Sequence, residues 1–408
     1  MEYDRQNFAD SSKVFLRRFE PQDSAMDSSN VVLSHLRVSV KANFDVKGYP
    51  TCCGTTLLAD NVAQKDAKAI QRLKNAGAYL VGHTNMTELA YSGLGLNPHY
   101  GTPENPIVEG AIPGGSTSGG AVSVATGEAD IALGTDTGGS LRIPAAFCGV
   151  TGFKPSQQSV SNQGCWPLSQ QLDSIGPIGK SVADCRLAWE VMSSSTSTVA
   201  KKQSSTELEF VIPSNFGFDD IDPEVTELFD QAVSIIEAAG FKVRETSHPL
   251  FENYKELPVW HFSAVESRHF YQSHFDIDSA DLDPRVRSRI RRGVEIDDVE
   301  FEETKNARRA LIDTFSTHFT NKVVLMPTVA CKAPKFEDLV QDADYDRINL
   351  LCLRNTTLAN VLDGCSISLP FWGEMFPIGI MLTMFNGADE RLLEIAQELE
   401  LIFANRDR

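Results

Sequence analysis

The 408-residue sequence has no excess of basic residues: 37 lysines and arginines face 55 aspartates and glutamates, for a formal net charge of −18. Such a chain repels a phosphate backbone and gains little from counterion release, so we expect no direct nucleic-acid binding. It also lacks any apolar run near the roughly 18 residues of a membrane span. The polar N-terminal stretch 1–23 does not resemble a signal peptide. The sequence therefore predicts a soluble, cytoplasmic protein without membrane association.

Paired cysteines are missing as well. The eight cysteines form no C-x-x-C pair and have no histidine at zinc-finger spacing, and a chain of this length does not need disulfides. Reduced, mostly buried thiols are expected. The adjacent Cys52 and Cys53 would not easily chelate one ion together, so a loop or pocket wall suits them better than a metal site or a thiol nucleophile.

The chain does contain short apolar, β-branched runs that alternate with helical segments from about residue 36 onward. This alternation predicts an α/β fold, a sheet covered by helices. The predicted strands are 36–40, 79–82, 131–133, 208–213, 241–243, 322–327 and 367–370. The predicted helices are 60–76, 121–127, 141–147, 223–239 and 391–403. A polar stretch at 193–205 predicts a loop, and about 206–320 predicts a mostly helical inserted lobe on a single domain spanning 1–408.

Two loops rich in glycine and serine, PGGSTSGG (113–120) and TDTGGS (135–140), are candidates for binding or chemistry. A phosphate-binding P-loop needs a lysine directly before the Ser or Thr at the helix start, and neither loop has one. The dinucleotide fingerprint G-x-G-x-x-G and the hydrolase elbow G-x-S-x-G are also absent. No histidine lies between His99 and His248, so a local Ser–His pair is missing, and His99 is more typical of a turn residue with a satisfied side chain.

Lys41 is the remaining candidate base. It follows a predicted buried strand and has Val40, Ala42 and Phe44 around it. Burial favours a neutral amine and lowers a lysine pKa from about 10.4 toward roughly 7 to 8, where the amine accepts a proton at neutral pH. A strand-end lysine that reaches solvent is the alternative. The local sequence leaves both open.

The stretch PGGSTSGGAVSVATGEADIALGTDTGGSLRIPAAFCGVTGFKPS (113–156) resembles the signature of the amidase signature family. Residues 39–51 resemble the family's lysine-bearing strand and loop, 81–106 its next block, and 353–370 with 377–383 its C-terminal strands. The resemblance implies a large mixed β-sheet with helices on both faces, and about 200–320 is the family's variable part.

The short front of the chain and its FDVKG and ELAYS segments are more similar to compact amidases than to the A-type subunits of glutamyl-tRNA amidotransferase. Those compact amidases include enzymes acting on indole-3-acetamide. The early position of Lys41 leaves no room for most of the helical N-terminal region that many members carry. An N-terminal extension that anchors a membrane or binds a partner is therefore not expected.

The resemblance implies a catalytic triad of two serines and a lysine. Ser140, in TDTGGS, matches the nucleophile that is acylated. Ser116, in GGSTSGG, matches the bridging serine, whose peptide bond with Gly115 is cis in the family. Lys41, in SVKANF, matches the lysine that starts the proton relay. No metal or cofactor is implied.

Supporting roles follow from the same matching. Backbone N–H groups of the nucleophile loop would hold the tetrahedral oxyanion, and its members are Thr137, Gly138, Gly139 and Ser140. The backbone at Ala90 would line the acyl site. Asp136 and Arg142 would fix the loop, with a buried ion pair and a direct substrate contact both open. A set of aromatic residues could form an acyl pocket or ordinary core: Trp260, Phe262, Phe270 and Tyr271.

The resulting hypothesis is a serine amidohydrolase that cleaves a small carboxamide to a carboxylate and ammonia or an amine. One alternative is an amidotransferase A-type subunit that delivers ammonia to a partner. Another is a non-catalytic scaffold with the same fold, although a scaffold has no chemical need for all three of Lys41, Ser116 and Ser140. The substrate's identity and the oligomeric state, with a homodimer as one candidate, stay open.

Overall fold

The computed structural model describes residues 12–20, 32–193 and 208–405. Its strands are β1 Phe15–Arg18, β2 Arg37–Lys41, β3 Tyr79–Thr84, β4 Ile131–Asp136, β5 Thr151–Lys154, β6 Ser174–Gly179, β7 Glu209–Pro213, β8 Lys242–Thr246, β9 Lys322–Pro327, β10 Cys365–Trp372 and β11 Pro377–Met384. Its α-helices are α1 Lys68–Asn75, α2 Ser118–Ala125, α3 Arg142–Phe147, α4 Val182–Met192, α5 Pro223–Ala238, α6 Pro249–Lys255, α7 Trp260–Tyr271, α8 Pro284–Arg291, α9 Asp298–His318, α10 Asp342–Val361 and α11 Asp389–Ala404. Apart from Ser193, the loop predicted at 193–205 lies outside the described residues.

The strands form one mixed sheet in the order β1-β3-β2-β4-β6-β5-β10-β11-β9-β7-β8. Parallel pairs join β3, β2 and β4 on one side and β9, β7 and β8 on the other, and the pairs between them are antiparallel. Alternate residues of β4 point to opposite faces. Ile131 and Leu133 pack in the core that includes α1 and α4, whereas Ala132 packs with residues of α2 and α3. Helices therefore cover both faces, which confirms the predicted fold class.

The parallel group β3, β2 and β4 positions the candidate site. Val38 to Val40 of β2 pair with Ile131 to Leu133 of β4, so both strands end at the same edge of the sheet. Lys41 ends β2 and Asp136 ends β4. The carboxyl ends of parallel strands form the usual binding edge of an α/β sheet, and the loop 137–140 continues from that edge into α3.

The range 206–320 contributes to the sheet as well as to the helical layer. Strands β7 and β8 extend the sheet at one end, and five helices (α5 to α9) follow or separate them. That this range is an inserted lobe stays a prediction. Helices α7 and α8, which belong to this range, line a cavity that the loop 137–140 also lines.

Two sequence predictions need correction. The helix predicted at 60–76 begins only at Lys68, because the backbone before it pairs with an earlier turn: Thr51 N donates to Asn61 O and Ala63 N donates to Tyr49 O. The resemblance predicts strands in the block 353–370. The first part of that block, up to Val361, is instead the end of helix α10, and the strand begins at Cys365.

Candidate active site

Lys41 lies at the end of β2 and is fully buried between β3 and β4. Its Nζ lies 2.8 Å from Ser116 Oγ and 2.8 Å from Thr135 Oγ1. Burial lowers the pKa of Lys41 to about 8, although nearby groups such as Cys165 and Asp173 act in the opposite direction. A substantial fraction of the amine is thus neutral near pH 8. The structure has a buried lysine here, not the solvent-reaching alternative.

Ser116 lies in the loop that leads into α2, and its side chain is fully buried. The peptide bond between Gly115 and Ser116 is cis. This loop packs tightly against the segment 87–95: Thr87 N donates to Ser116 O, and a Cβ on Gly115 would lie 2.6 Å from Gly95 N. Glycine is therefore required at position 115 for the loop to approach so closely.

Ser140 ends the loop between β4 and α3, and only 4 % of its surface is exposed. The two serine loops are joined by a backbone hydrogen bond from Thr117 N to Ser140 O, 3.3 Å long. Among the hydrogen bonds within 12–20, 32–193 and 208–405, one joins Lys41 to Ser116, but none joins the hydroxyls of Ser116 and Ser140. The structure thus contains the first link of the expected relay without the second.

Asp136 and Arg142 form a fully buried ion pair with an Oδ1 to Nη2 distance of 2.8 Å. The Asp136 carboxylate also accepts the N–H groups of Gly139 and Leu141, and Asn360 Nδ2 from α10. Burial alone would raise the pKa of Asp136, but the Arg142 guanidinium outweighs it and lowers that pKa to about 2. Neither side chain lines the cavity over the loop, so the pair holds the loop from behind.

That cavity has a volume of about 720 Å³, which suits a small-molecule ligand. Four of the predicted site residues line it: Ala90, Thr137, Gly138 and Ser140. Helices α7, α8 and α10 supply most of the remaining wall. The structure therefore brings the nucleophile candidate and its loop to the floor of one cavity.

The expected set of oxyanion donors needs one change. The N–H of Gly139 donates to Asp136 Oδ1 at 2.8 Å, so in this structure it is not aimed at a ligand. The loop is fixed on both flanks, since Thr137 Oγ1 donates to Asp173 and the carbonyl of Gly138 accepts from Thr357 Oγ1. This leaves the N–H groups of Thr137, Gly138 and Ser140 as the donor candidates at the cavity floor.

Ala90 and Leu89 form a strained turn beside this floor. Both have left-handed backbone angles, with φ of 64° and 48°, a conformation that residues other than glycine rarely adopt. Leu89 N donates to the carbonyl of Cys53, and Ala90 N donates to that of Thr87, and these bonds hold the turn. The predicted position of Ala90 near the nucleophile loop agrees with its place in the cavity wall.

The other candidates lie elsewhere. His99 Nε2 lies 2.7 Å from Glu88 Oε1, and this hydrogen bond raises the pKa of His99, as for a satisfied turn residue. Cys52 and Cys53 are buried, and all eight cysteines are free thiols. Of the four aromatic candidates for an acyl pocket, Trp260 lines the cavity, whereas Phe262 is core.

Sequence reasoning missed three groups that hold the site: Thr135 beside Lys41, Asp173 beside Thr137, and the polar face of α10 behind the loop. Thr135 stands within the run GTDTGGS, but the alternation of side chains along β4 places it on the face of Leu133, opposite to that of Lys41, so a strand pattern does not predict their contact. Nothing local in the sequence marks Asp173 or α10, because their contacts with the loop arise only when distant segments pack.

Comparison with known proteins shows the family of this chain. The Amidase family model matches residues 12–393. The chain belongs to the amidase family. It is accordingly an amidase, a hydrolase that acts on amide C–N bonds.

Relatives span most of the chain. A 2-amino-5-chloromuconic acid deaminase from Comamonas testosteroni is 30% identical over 91% of this chain and 82% of its own length. An indoleacetamide hydrolase from Pseudomonas savastanoi is 29% identical, with shares of 94% and 87%. The A-type subunit of a glutamyl-tRNA(Gln) amidotransferase from Chromohalobacter salexigens is 31% identical, with shares of 90% and 83%. A crystal structure of an amidase superposes with a TM-score of 0.80 at 30% identity, covering 90% of this chain and 85% of that one.

None of the helices within the described ranges is long and apolar enough to cross a bilayer.

Proposed function

We propose that this amidase cleaves a small carboxamide through an acyl-enzyme on Ser140, with Ser116 and Lys41 as its proton relay. The observation that carries the proposal is the fully buried Lys41 amine, which is hydrogen-bonded to Ser116 and has a pKa lowered to about 8. A lysine with an ordinary pKa would be protonated and would not act as a base.

In the proposed first step, the neutral amine of Lys41 takes the hydroxyl proton of Ser116, and Ser116 takes that of Ser140. The Ser140 Oγ forms a bond to the amide carbon, and the carbonyl electron pair moves to oxygen. The hydrogen bond between the two serine hydroxyls would form when substrate is bound, since catalytic hydrogen bonds often tighten only in the substrate complex.

Backbone N–H groups of Thr137, Gly138 and Ser140 would stabilise the oxyanion, and losing one such donor typically costs on the order of 3 kcal/mol. The relay then runs backward: the proton goes to the amide nitrogen, the C–N bond breaks, and ammonia or an amine leaves. Water attacks the Ser140 ester, releases the carboxylate and restores the hydroxyl. No step draws on a metal or cofactor.

The test is ammonia release from a panel of aryl and aliphatic amides by the wild type, Ser140→Ala and Ser118→Ala. Ser118 stands in the same serine-rich motif as Ser116, and its Oγ donates to Asn85 O within the protein. We expect Ser140→Ala to lose turnover while Ser118→Ala keeps it. Equal ammonia release by the wild type and Ser140→Ala would refute the assignment of Ser140 as the nucleophile.

A second candidate is favoured by the 31% identity to an amidotransferase component: a polypeptide that passes ammonia to a partner enzyme. It predicts copurification with a second protein and little activity alone. Free amide hydrolysis by the purified chain supports the amidohydrolase instead. A cytoplasmic location and a homodimer also stay predictions, tested by cell fractionation and by light scattering.

A further inference from the structure

Three arginines line the cavity along one side. Arg285 and Arg289 belong to α8, and Arg292 follows in the turn that continues it. Their spacing of four and three residues places them on one helical face. The chain as a whole carries a net charge of −18, so this concentration of cations around one cavity runs against the overall balance.

Two of these arginines are neutralised by α10. Arg285 pairs with Asp342 at 2.6 Å, and Arg289 pairs with Asp346 at 3.1 Å. Each pair joins residues 57 positions apart, so α8 and α10 lie side by side in a constant register. We call this row of side-chain pairs between α8 and α10 the ladder; the two ion pairs are its first two rungs.

The third rung lacks its carboxylate. The same spacing from Arg292 leads to Asn349, whose side chain is uncharged. Asn349 is also committed elsewhere, because its Oδ1 accepts from Ser92 Oγ and Gly93 N at 3.0 Å each. Both Arg292 and Asn349 line the cavity, so the position where a carboxylate would pair with Arg292 faces the cavity.

Within the part of the chain that the structure describes, no carboxylate lies within 4 Å of the Arg292 guanidinium. Arg292 also lines a neighbouring surface groove together with Glu295, but Glu295 does not line this cavity. The Arg292 guanidinium carbon lies 3.7 Å from the centre of the Trp260 ring. Stacking of this kind holds the guanidinium plane and leaves its in-plane N–H donors available to a bidentate anion.

A fourth arginine adds to the positive charge. Arg354 of α10 also lines the cavity, and its guanidinium donates to uncharged acceptors: the carbonyls of Gly217 and Asp219 and the amide oxygen of Asn355. The charged residues of the cavity wall are thus four arginines and two aspartates. A positive excess next to apolar side chains such as Leu168 and Leu353 suits a ligand with an apolar body and one negative group.

On the condition that the proposed amidase chemistry at Ser140 holds, we infer that the substrate is an amide that also carries a carboxylate, and that Arg292 binds this carboxylate. The carboxylate completes the third rung of the ladder beside Asn349. Arg292 is here a specificity residue: it binds the ligand's anion and takes no part in bond making. Charge-assisted bidentate pairs of this type are the strong ones among hydrogen bonds.

The kinetic test compares monoamides of C4 to C6 dicarboxylic acids with the unsubstituted alkanamides of the same length, by ammonia release. We expect kcat/KM to be at least tenfold higher for the acid amides. Arg292→Gln should raise KM for the acid amides tenfold or more, with kcat and the neutral amides little changed. Arg287→Gln is the matched control, since Arg287 lies on the same helix and donates to Ser279 O away from the cavity.

A binding test is independent of turnover: calorimetric titration of Ser140→Ala, with and without Arg292→Gln, with hexanoate and hexanamide. Preferential binding of hexanoate that Arg292→Gln removes supports the inference. Equal kcat/KM for acid and neutral amides, or a preference that survives Arg292→Gln, overturns it and leaves the amidohydrolase intact. Absence of amide hydrolysis by the wild type, with Arg292-dependent hexanoate binding retained in Ser140→Ala, refutes the proposed function instead.

Discussion

The Nζ of Lys41 lies 2.8 Å from the Oγ of Ser116, in a place where no part of either side chain reaches solvent. The contact joins the end of a central strand to a loop that the sequence places 75 positions later. Because the amine is buried, its protonation state responds to pH in a range where enzymes are assayed.

We expect kcat/KM of the wild type to rise with pH and to reach half its maximum near pH 8, since burial lowers the pKa of Lys41 to about 8 and only the neutral amine accepts a proton. Below this pH, protonation removes the base, and the rate should fall about tenfold per pH unit. Lys41→Met should lose about 10²- to 10⁴-fold in turnover. A pH–rate profile of each protein is the measurement, and a flat wild-type profile between pH 6 and 9 contradicts the relay.

Thr135→Val should lower kcat about tenfold, because the Lys41 amine loses one hydrogen-bond partner worth about 1.5 kcal/mol. The half-maximal pH should also move down, because the charged amine loses an acceptor. Thr135→Ser keeps the hydroxyl and should restore both values. A variant with lower kcat and an unmoved profile would show that Thr135 only supports the fold.

Asp136→Asn should destabilise the protein by about 3 to 5 kcal/mol, because it leaves the buried Arg142 without its counter-charge. Urea denaturation at pH 7 measures this change. The folded-state pKa of about 2 lies below the ordinary 3.8, so the contribution of Asp136 is present above about pH 4 and is lost as the pH falls toward 2. The variant should lack that acid-dependent loss, and a change below about 1 kcal/mol at pH 7 would contradict the prediction.

Gly139→Ala should lose at least about 2 kcal/mol of stability and most activity. Gly139 has a φ of 133°, and a Cβ there would lie 2.2 Å from Thr356 Oγ1. Gly110→Ala is the control, with a φ of 71° but nothing within 4 Å of an added Cβ, so it should cost only about 1 kcal/mol. Stability and activity are measured by thermal denaturation and ammonia release. Similar losses in the two variants would show that the positive φ alone, and not the contact with Thr356, causes the destabilisation.

The sequence predicted the α/β fold because most strands are short apolar runs, as in β4 and β9. Strand β6 was not predicted, since SIGPIG contains the glycines and proline typical of a turn, yet it lies between β4 and β5. A Cβ on Gly176 would lie 2.2 Å from the carbonyl oxygen of Phe153, so the close packing of the two strands requires glycine at this position. The same glycine makes the segment resemble a turn in the sequence.

The candidate site was predictable where its residues stand in the long motif, as Ser116 and Ser140 do. Its cavity wall was not. The ladder between α8 and α10 depends on two helices meeting in one register, and neither Arg292 nor Asn349 has a local pattern that signals the other. Contacts between distant segments build this wall, and a single sequence does not encode them in any short stretch.

The Asp136 carboxylate has a consequence for biosynthesis. Its partners are Gly139, Leu141 and Arg142, which follow it closely in sequence, and Asn360, whose Nδ2 donates both to the carboxylate and to the backbone carbonyl of Asp136. During synthesis, a chain whose residue 360 has not yet emerged from the ribosome lacks the hydrogen bonds from Asn360 to Asp136. Lys41, Ser116 and Ser140 have already been synthesised by then. Maturation of the active loop should be a late event in synthesis, triggered when helix α10 docks.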